Sequence, residues 1–111
     1  PWLSDALIYI KRNLARGICA ADVIAHLGYS HTAVNKAFKA ELGTTLHEEI
    51  ISCRLKLACS LLRKSDKTAA EISLLCGYPN AQHFSRAFSA VFHLPPDAWR
   101  KKANLRDEKQ T

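Results

Sequence analysis

His31, Thr32, Asn35, Lys36 and Lys39 share one side of a helical net, and Val34, Ala37 and Phe38 share the other. Further on, Ala81, Gln82, His83, Ser85 and Arg86 stand in the same relation to Phe84, Ala87 and Phe88. Side chains of these polar types share one kind of chemistry. A carboxamide can pair with adenine through two hydrogen bonds, a cation can donate to guanine or phosphate, and a threonine methyl can meet thymine. Other chemistry lacks its residues. Cys19, Cys53, Cys59 and Cys76 include no C-x-x-C pair and match no common zinc spacing. Each lies in an apolar helical context, where a small buried thiol is the ordinary reading. His26, His31, His47, His83 and His93 form no H-E-x-x-H and no i, i+4 pair. The glycines at 17, 28, 43 and 77 are isolated, so there is no glycine-rich phosphate loop. With no nucleophile elbow and no paired carboxylates, the sequence predicts no enzyme, no metal site and no cofactor.

Charge points the same way as the polar ridges. Sixteen Lys and Arg against ten Asp and Glu give a net charge of +6 and a pI near 9.4. Such a surface favours a polyanionic partner, nucleic acid first among them. The basic residues are spread out, and only Arg100-Lys101-Lys102 is a run. At 48% hydrophobic and 23% charged residues, the 111-residue chain can bury a core and is not disordered throughout. No stretch approaches the roughly 18–20 apolar residues of a membrane span, so no membrane partner is expected. The opening PWLSDALIYIKRN lacks the basic region of a signal peptide. Reduced thiols suit the cytoplasm. A chain that opens on Pro1 rather than Met is expected to be a piece of a longer protein.

These ridges need helices to carry them, and the periodicity is helical nearly throughout. Ser4 is placed to cap a first helix with Leu7, Ile8, Ile10 and Leu14 inward, ending near Gly17. A short helix follows over about 20–27, broken by Gly28. Ser30 caps the next, 31–42, with Val34, Ala37, Phe38 and Leu42 inward and Gly43 at its end. Thr45 and Glu48 read as a capping box opening the longest helix, to about Arg63. Thr68 and Glu71 form a second capping box for a short helix to Cys76. Another helix spans 81–92 with Phe84, Phe88 and Phe92 inward. Pro95 and Pro96 stop it, and Pro96 suits the first turn of a last short helix holding Trp99. The polar residues after Lys102 are expected to fray.

The pattern occurs twice. Ala20-Ala21-Asp22-Val23 aligns with Ala69-Ala70-Glu71-Ile72, and Gly28-Tyr29 with Gly77-Tyr78, at an offset of 49. One extra residue in the second turn shifts the offset to 50, which pairs Val34 with Phe84, Lys36 with Arg86 and Phe38 with Phe88. Each unit is a short helix, a Gly-aromatic turn and a second helix with a basic residue facing out, the outline of a helix-turn-helix. The expected architecture is all-α, with about seven helices in two such subdomains joined by a long connecting helix. The boundaries are 1–43, 44–64 and 65–103, with 104–111 a polar tail. A 17-residue connecting helix spans about 26 Å, enough to set two reading helices roughly one duplex turn, about 34 Å, apart on one face of DNA.

Several segments resemble the C-terminal DNA-binding domain of AraC/XylS-family bacterial transcription regulators. They are Ile72-x4-Gly77-Tyr78-x5-Phe84-Ser85-Arg86-Ala87-Phe88, then Pro96-x2-Trp99-Arg100. Arg54-Leu55-Lys56-Leu57-Ala58-x2-Leu61-Leu62 resembles the family's connecting helix, and Gly28-Tyr29-Ser30 through Gly43-Thr44-Thr45 its first repeat. Leu46 stands where the family usually has proline, and His93 where it usually has glycine. The resemblance implies a sequence-specific double-stranded DNA-binding module that reads promoter DNA with helices 31–42 and 81–92. It also implies RNA polymerase as a further partner and a separate effector-binding domain, usually N-terminal.

It places base contacts at Thr32, Asn35 and Lys36. Groove chemistry adds Gln82, His83 and Arg86. Backbone contacts are expected from Ser30, Thr45 and Asn80 at helix N-termini, where free amides favour phosphate. Lys39, Arg54, Ser85 and Arg100 complete that set. Arg54 reads equally as an internal structural arginine. Six neutralised phosphates would give log K against log salt a slope near −5. Two other readings compete. One is a fragment of an alkylation-repair regulator, which would need an activated cysteine thiol. The other is a helical protein-interaction module with no nucleic-acid role.

Overall fold

Side-chain caps at Ser30, Thr45, Thr68 and Asn80 set where four of the helices begin. A computed structural model describes the backbone of residues 2–110 and the side chains of residues 2–105. Among the described residues it has seven α-helices, one 3₁₀ turn and no strand. They are α1 (Trp2–Asn13), α2 (Ala20–Leu27), α3 (His31–Leu42), α4 (Leu46–Lys64), α5 (Ala69–Leu75), α6 (Ala81–Phe92) and α7 (Pro96–Gln110), with the 3₁₀ turn Leu14–Arg16 after α1. The architecture is all-α, as expected. Contacts divide the chain into two compact units, Pro1–Arg54 and Leu55–Thr111, with the division inside α4.

In the first unit α1 packs on α2, and α2 on α3. Its core holds Ala6, Ile10, Leu14, Val23, Val34, Phe38, Leu46 and Ile50. The Ser30 hydroxyl accepts the Ala33 N–H at 3.2 Å, which opens α3. Thr45 Oγ1 accepts the Glu48 N–H at 3.2 Å and donates to the Glu48 carboxylate at 3.1 Å. The sequence reading missed one cap. Cys19 takes the N-cap position of α2, and its N–H donates to the Asp22 carboxylate at 2.8 Å. That bond holds the Asp22 carboxyl below its ordinary pKa.

In the second unit α5 packs on α6, and α6 on α7. Thr68 and Glu71 exchange both capping-box bonds, at 3.1 and 3.2 Å. The Thr68 N–H lowers the Glu71 pKa as the Cys19 N–H lowers that of Asp22. The core centres on aromatic rings. Phe88 meets Phe84 edge-on at 5.7 Å and Trp99 edge-on at 5.7 Å, geometries that suit the ring quadrupoles. The Arg63 guanidinium lies over the Trp99 ring, 5.2 Å from its centroid.

Four sequence expectations are corrected. Ser4 lies inside α1, which starts at Trp2, so it is not an N-cap. Ile8 is 49% exposed, because α1 buries Ala6 and Ile10 and residue 8 falls about 200° round from each. Leu42 is 39% exposed, because two turns beyond Val34 the helix has drifted about 80°. Finally, α7 runs on to Gln110 instead of ending near Lys102. Residues 103–110 contain no Gly or Pro and are mostly good helix formers, so polarity alone does not stop the helix. Thr111 lies outside the described residues.

The repeat is visible in the backbone. Ser30 and Asn80 are N-caps of α3 and α6, and Gly43 and His93 are their left-handed C-caps, each pair 50 residues apart. Gly43 has φ 75° and His93 φ 62°. His93 is the one non-glycine residue with positive φ among those described. A Cβ in that region crowds the following carbonyl, at a cost of roughly 1–2 kcal/mol. Glycine relieves it, partly offset by the freedom it gives the unfolded chain. His93→Gly is expected to stabilise the protein by about 0.5–1 kcal/mol, raising Tm by about 2–6 °C in thermal denaturation. A lower Tm would show that the imidazole makes a compensating contact.

Candidate nucleic-acid interface

Each candidate face begins with what its helix buries. Val34 and Phe38 of α3 are fully buried, as are Phe84 and Phe88 of α6. Each pair is spaced i, i+4, so it fixes the helix's rotation about its own axis. In α3 the opposite side exposes His31, Thr32, Lys36 and Lys39. In α6 it exposes Gln82, His83 and Arg86, with Ser85 half-buried beside them. Both faces have the shape the sequence predicts, except at Asn35.

Asn35 is half-buried, and both ends of its carboxamide are engaged. Oδ1 accepts the Leu46 N–H at 3.0 Å, and Nδ2 lies 3.1 Å from the nearer His31 ring nitrogen. A bidentate adenine contact would need the same two groups. His83 is held in one orientation. Asn80 Oδ1 accepts both the His83 backbone N–H at 2.9 Å and the ring Nδ1 at 3.0 Å. Since that oxygen only accepts, Nδ1 is the donor in this contact, and Nε2 is the ring nitrogen left over.

The expected backbone-contact residues divide in two. Ser30, Lys39 and Asn80 are exposed at or near helix termini. Thr45 spends its hydroxyl on Glu48, whose carboxylate beside it would repel a phosphate. Arg54 donates through Nη2 to the Ile18 carbonyl, which supports the structural alternative for this residue. Arg100 does the same work in the second unit. Its Nε donates to Leu62 O at 2.9 Å, and Nη2 to Lys67 O at 2.7 Å and Ser65 O at 3.3 Å. One guanidinium thus ties the end of α4 and the loop after it to α7. Nη2 of Arg54, and Nε and Nη2 of Arg100, are thus turned to protein carbonyls, which favours a structural role over the expected phosphate contact for both. No local signal marks this role for Arg100, since its partners lie 33–38 residues away.

Of the four cysteines, Cys19 is exposed at the N-cap of α2 and the other three are wholly or partly withdrawn. Cys53 and Cys76 are buried. Burial pushes the Cys59 thiol pKa up, away from a reactive thiolate. Among the described residues no group of three or more His, Cys, Asp or Glu could hold a metal ion. No helix of the described residues is long and apolar enough to cross a membrane.

Comparison with known proteins follows the same geometry. A family model described as a helix-turn-helix domain matches residues 10–102. The xylose operon regulatory protein of Escherichia coli K12 is 34% identical over 100 residues, which cover 90% of this chain and 26% of that protein. The chain therefore spans about a quarter of that relative's length. Among solved structures, an AraC-type transcriptional regulator from Chromobacterium violaceum superposes with a TM-score of 0.80 at 27% identity, covering 91% of this chain and 90% of that one. The DNA-binding domain of the global transcriptional factor AdpA, solved in complex with a target DNA, gives 0.86 at 20% identity, covering 94% of both chains. At that identity the likeness concerns the fold.

Replacing Arg100 by alanine removes the donor that holds three carbonyls. Arg100→Ala is expected to destabilise the second unit by about 2 kcal/mol or more in denaturation without DNA. An unchanged midpoint with only a weakened, salt-sensitive DNA affinity would instead make it a phosphate ligand.

Proposed function

Because the chain belongs to the AraC/XylS family of helix-turn-helix DNA-binding domains, we propose that it reads two adjacent major-groove segments of promoter DNA with α3 and α6. The observation that carries this reading is the duplicated plan. In each unit a capped helix buries an apolar ridge and leaves amide, hydroxyl and cationic side chains on the opposite side. A single helix-turn-helix is a common packing corner in all-α proteins. Two built to one plan in a chain of net charge +6 favour nucleic acid over a protein-interaction role.

In this proposal Lys36 and Arg86 donate to guanine, Thr32 offers its methyl to thymine and Gln82 pairs with adenine. His83, with Nδ1 tied to Asn80, presents Nε2 to a base-edge donor such as a cytosine amino group. Ser30, Lys39, Asn80 and Ser85 serve the phosphate backbone, where helix N-termini supply amides and a favourable dipole. The module performs no covalent step. The parent polypeptide would add an effector-binding domain, and recruiting or excluding RNA polymerase would turn binding into regulation. A regulator of promoter DNA would act in the bacterial cytoplasm.

Lys36→Ala and Arg86→Ala are each expected to weaken operator binding by about 1–3 kcal/mol in a titration, with thermal stability unchanged. Parent-like binding by both variants would remove α3 and α6 from the interface. Salt dependence supplies a second check. With Arg54 and Arg100 engaged internally, fewer phosphates are neutralised, and log K against log salt should fall with a slope shallower than about −5. A slope close to zero would contradict a DNA-binding surface.

A further inference from the structure

The two units solve one local problem differently, and the difference falls on a reading helix. Leu46 and Pro96 are the first residues of α4 and α7. They are 50 apart, as are the N-caps Ser30 and Asn80 and the C-caps Gly43 and His93. At this position proline has no N–H to satisfy. Leucine has one, and the helix offers it no partner of its own. In the first unit the acceptor is Asn35 Oδ1, 3.0 Å away in a partly buried setting. The residue matching Asn35 in the second unit, again 50 on, is Ser85.

Chemistry then fixes which way the amide lies. A backbone N–H must meet the carboxamide oxygen, so the amino group turns toward the His31 ring. Both functional ends are used inside the protein. Pairing with adenine would require Asn35 to release the Leu46 N–H into a partly buried site without a partner. We infer that Asn35 is a positioning residue, not a base contact: it ties α3 to the start of α4, orients the His31 ring, and leaves sequence reading in the first unit to Thr32 and Lys36. The inference rests on the DNA-reading proposal for its functional half, while the tie itself is a matter of folding.

Two measurements on the 111-residue chain test it. In thermal denaturation, Asn35→Ala should lower Tm by about 4–8 °C with Leu46 present, and by less than about 2 °C in the Leu46→Pro background. Asn35→Asp keeps the acceptor oxygen and should stay within about 2 °C of the parent, a control should the alanine variant unfold. In selection from random duplex DNA, Asn35→Ala should lose affinity by a similar factor on all selected sequences and keep the parent's base preference at each position. Additive Tm effects in the two backgrounds would overturn the tie. A tenfold relaxation confined to one base pair would overturn the positioning role and make Asn35 a reader. Should the parent select no sequence at all, the DNA-reading proposal fails, and the denaturation cycle alone decides whether Asn35 holds α3.

Discussion

Two buried side chains one helical turn apart set the rotation of α3 and of α6, and the rest of the candidate site depends on that. Val34 and Phe38 in α3, and Phe84 and Phe88 in α6, are fully buried. Burying such side chains contributes roughly 1.5–3 kcal/mol each, so turning the helix about its axis would expose several kcal/mol of apolar surface. The exposed positions are therefore as fixed as the core. Thr32, Lys36, Gln82 and Arg86 point outward because their neighbours on the helical net cannot. The N-caps add a second constraint by fixing where each helix starts.

The duplication shows which physical tasks are shared and which solutions are free to differ. A left-handed C-cap ends both reading helices, supplied by glycine in one and histidine in the other. The first residue of the helix that follows leaves no orphan N–H in either unit, because it is proline in one and has an asparagine acceptor in the other. The carbonyls of Ile18 and Lys67, 49 residues apart in the first register, each accept from an arginine on that following helix. The arginines themselves, 46 apart, are not matched positions. In each unit a cation is drawn inward to satisfy backbone at the base of the short helix. Arg54 and Arg100 thus serve the fold, which lowers the share of the chain's positive charge available to an external polyanion.

What could be read from the sequence was local. Ser30, Thr45, Thr68 and Asn80 cap helices within three residues of themselves, and the i, i+4 spacing of Phe84 and Phe88 needs only the helix's own period. What could not be read involves partners far along the chain. Arg100 reaches back to the end of α4, and Asn35 reaches Leu46, 11 residues on. Ile8 and Leu42 were misread because an apolar residue near a buried stripe need not belong to it. The length of α7 was misread because polar residues end a helix only when they bring a cap or a breaker. Cys19 could have been found, since Cys19-x-x-Asp22 occupies the place of Thr68-x-x-Glu71 in the repeat.

The central claim is that both outward ridges enter the major groove, each its own segment. Dimethyl sulfate probing of a selected duplex tests this most directly, since it modifies guanine N7 in the major groove and adenine N3 in the minor. The account predicts that bound protein shields guanine N7 in two clusters centred about 10 base pairs apart, leaving adenine N3 reactive between them. A single shielded cluster, or protection at adenine N3 alone, would contradict it.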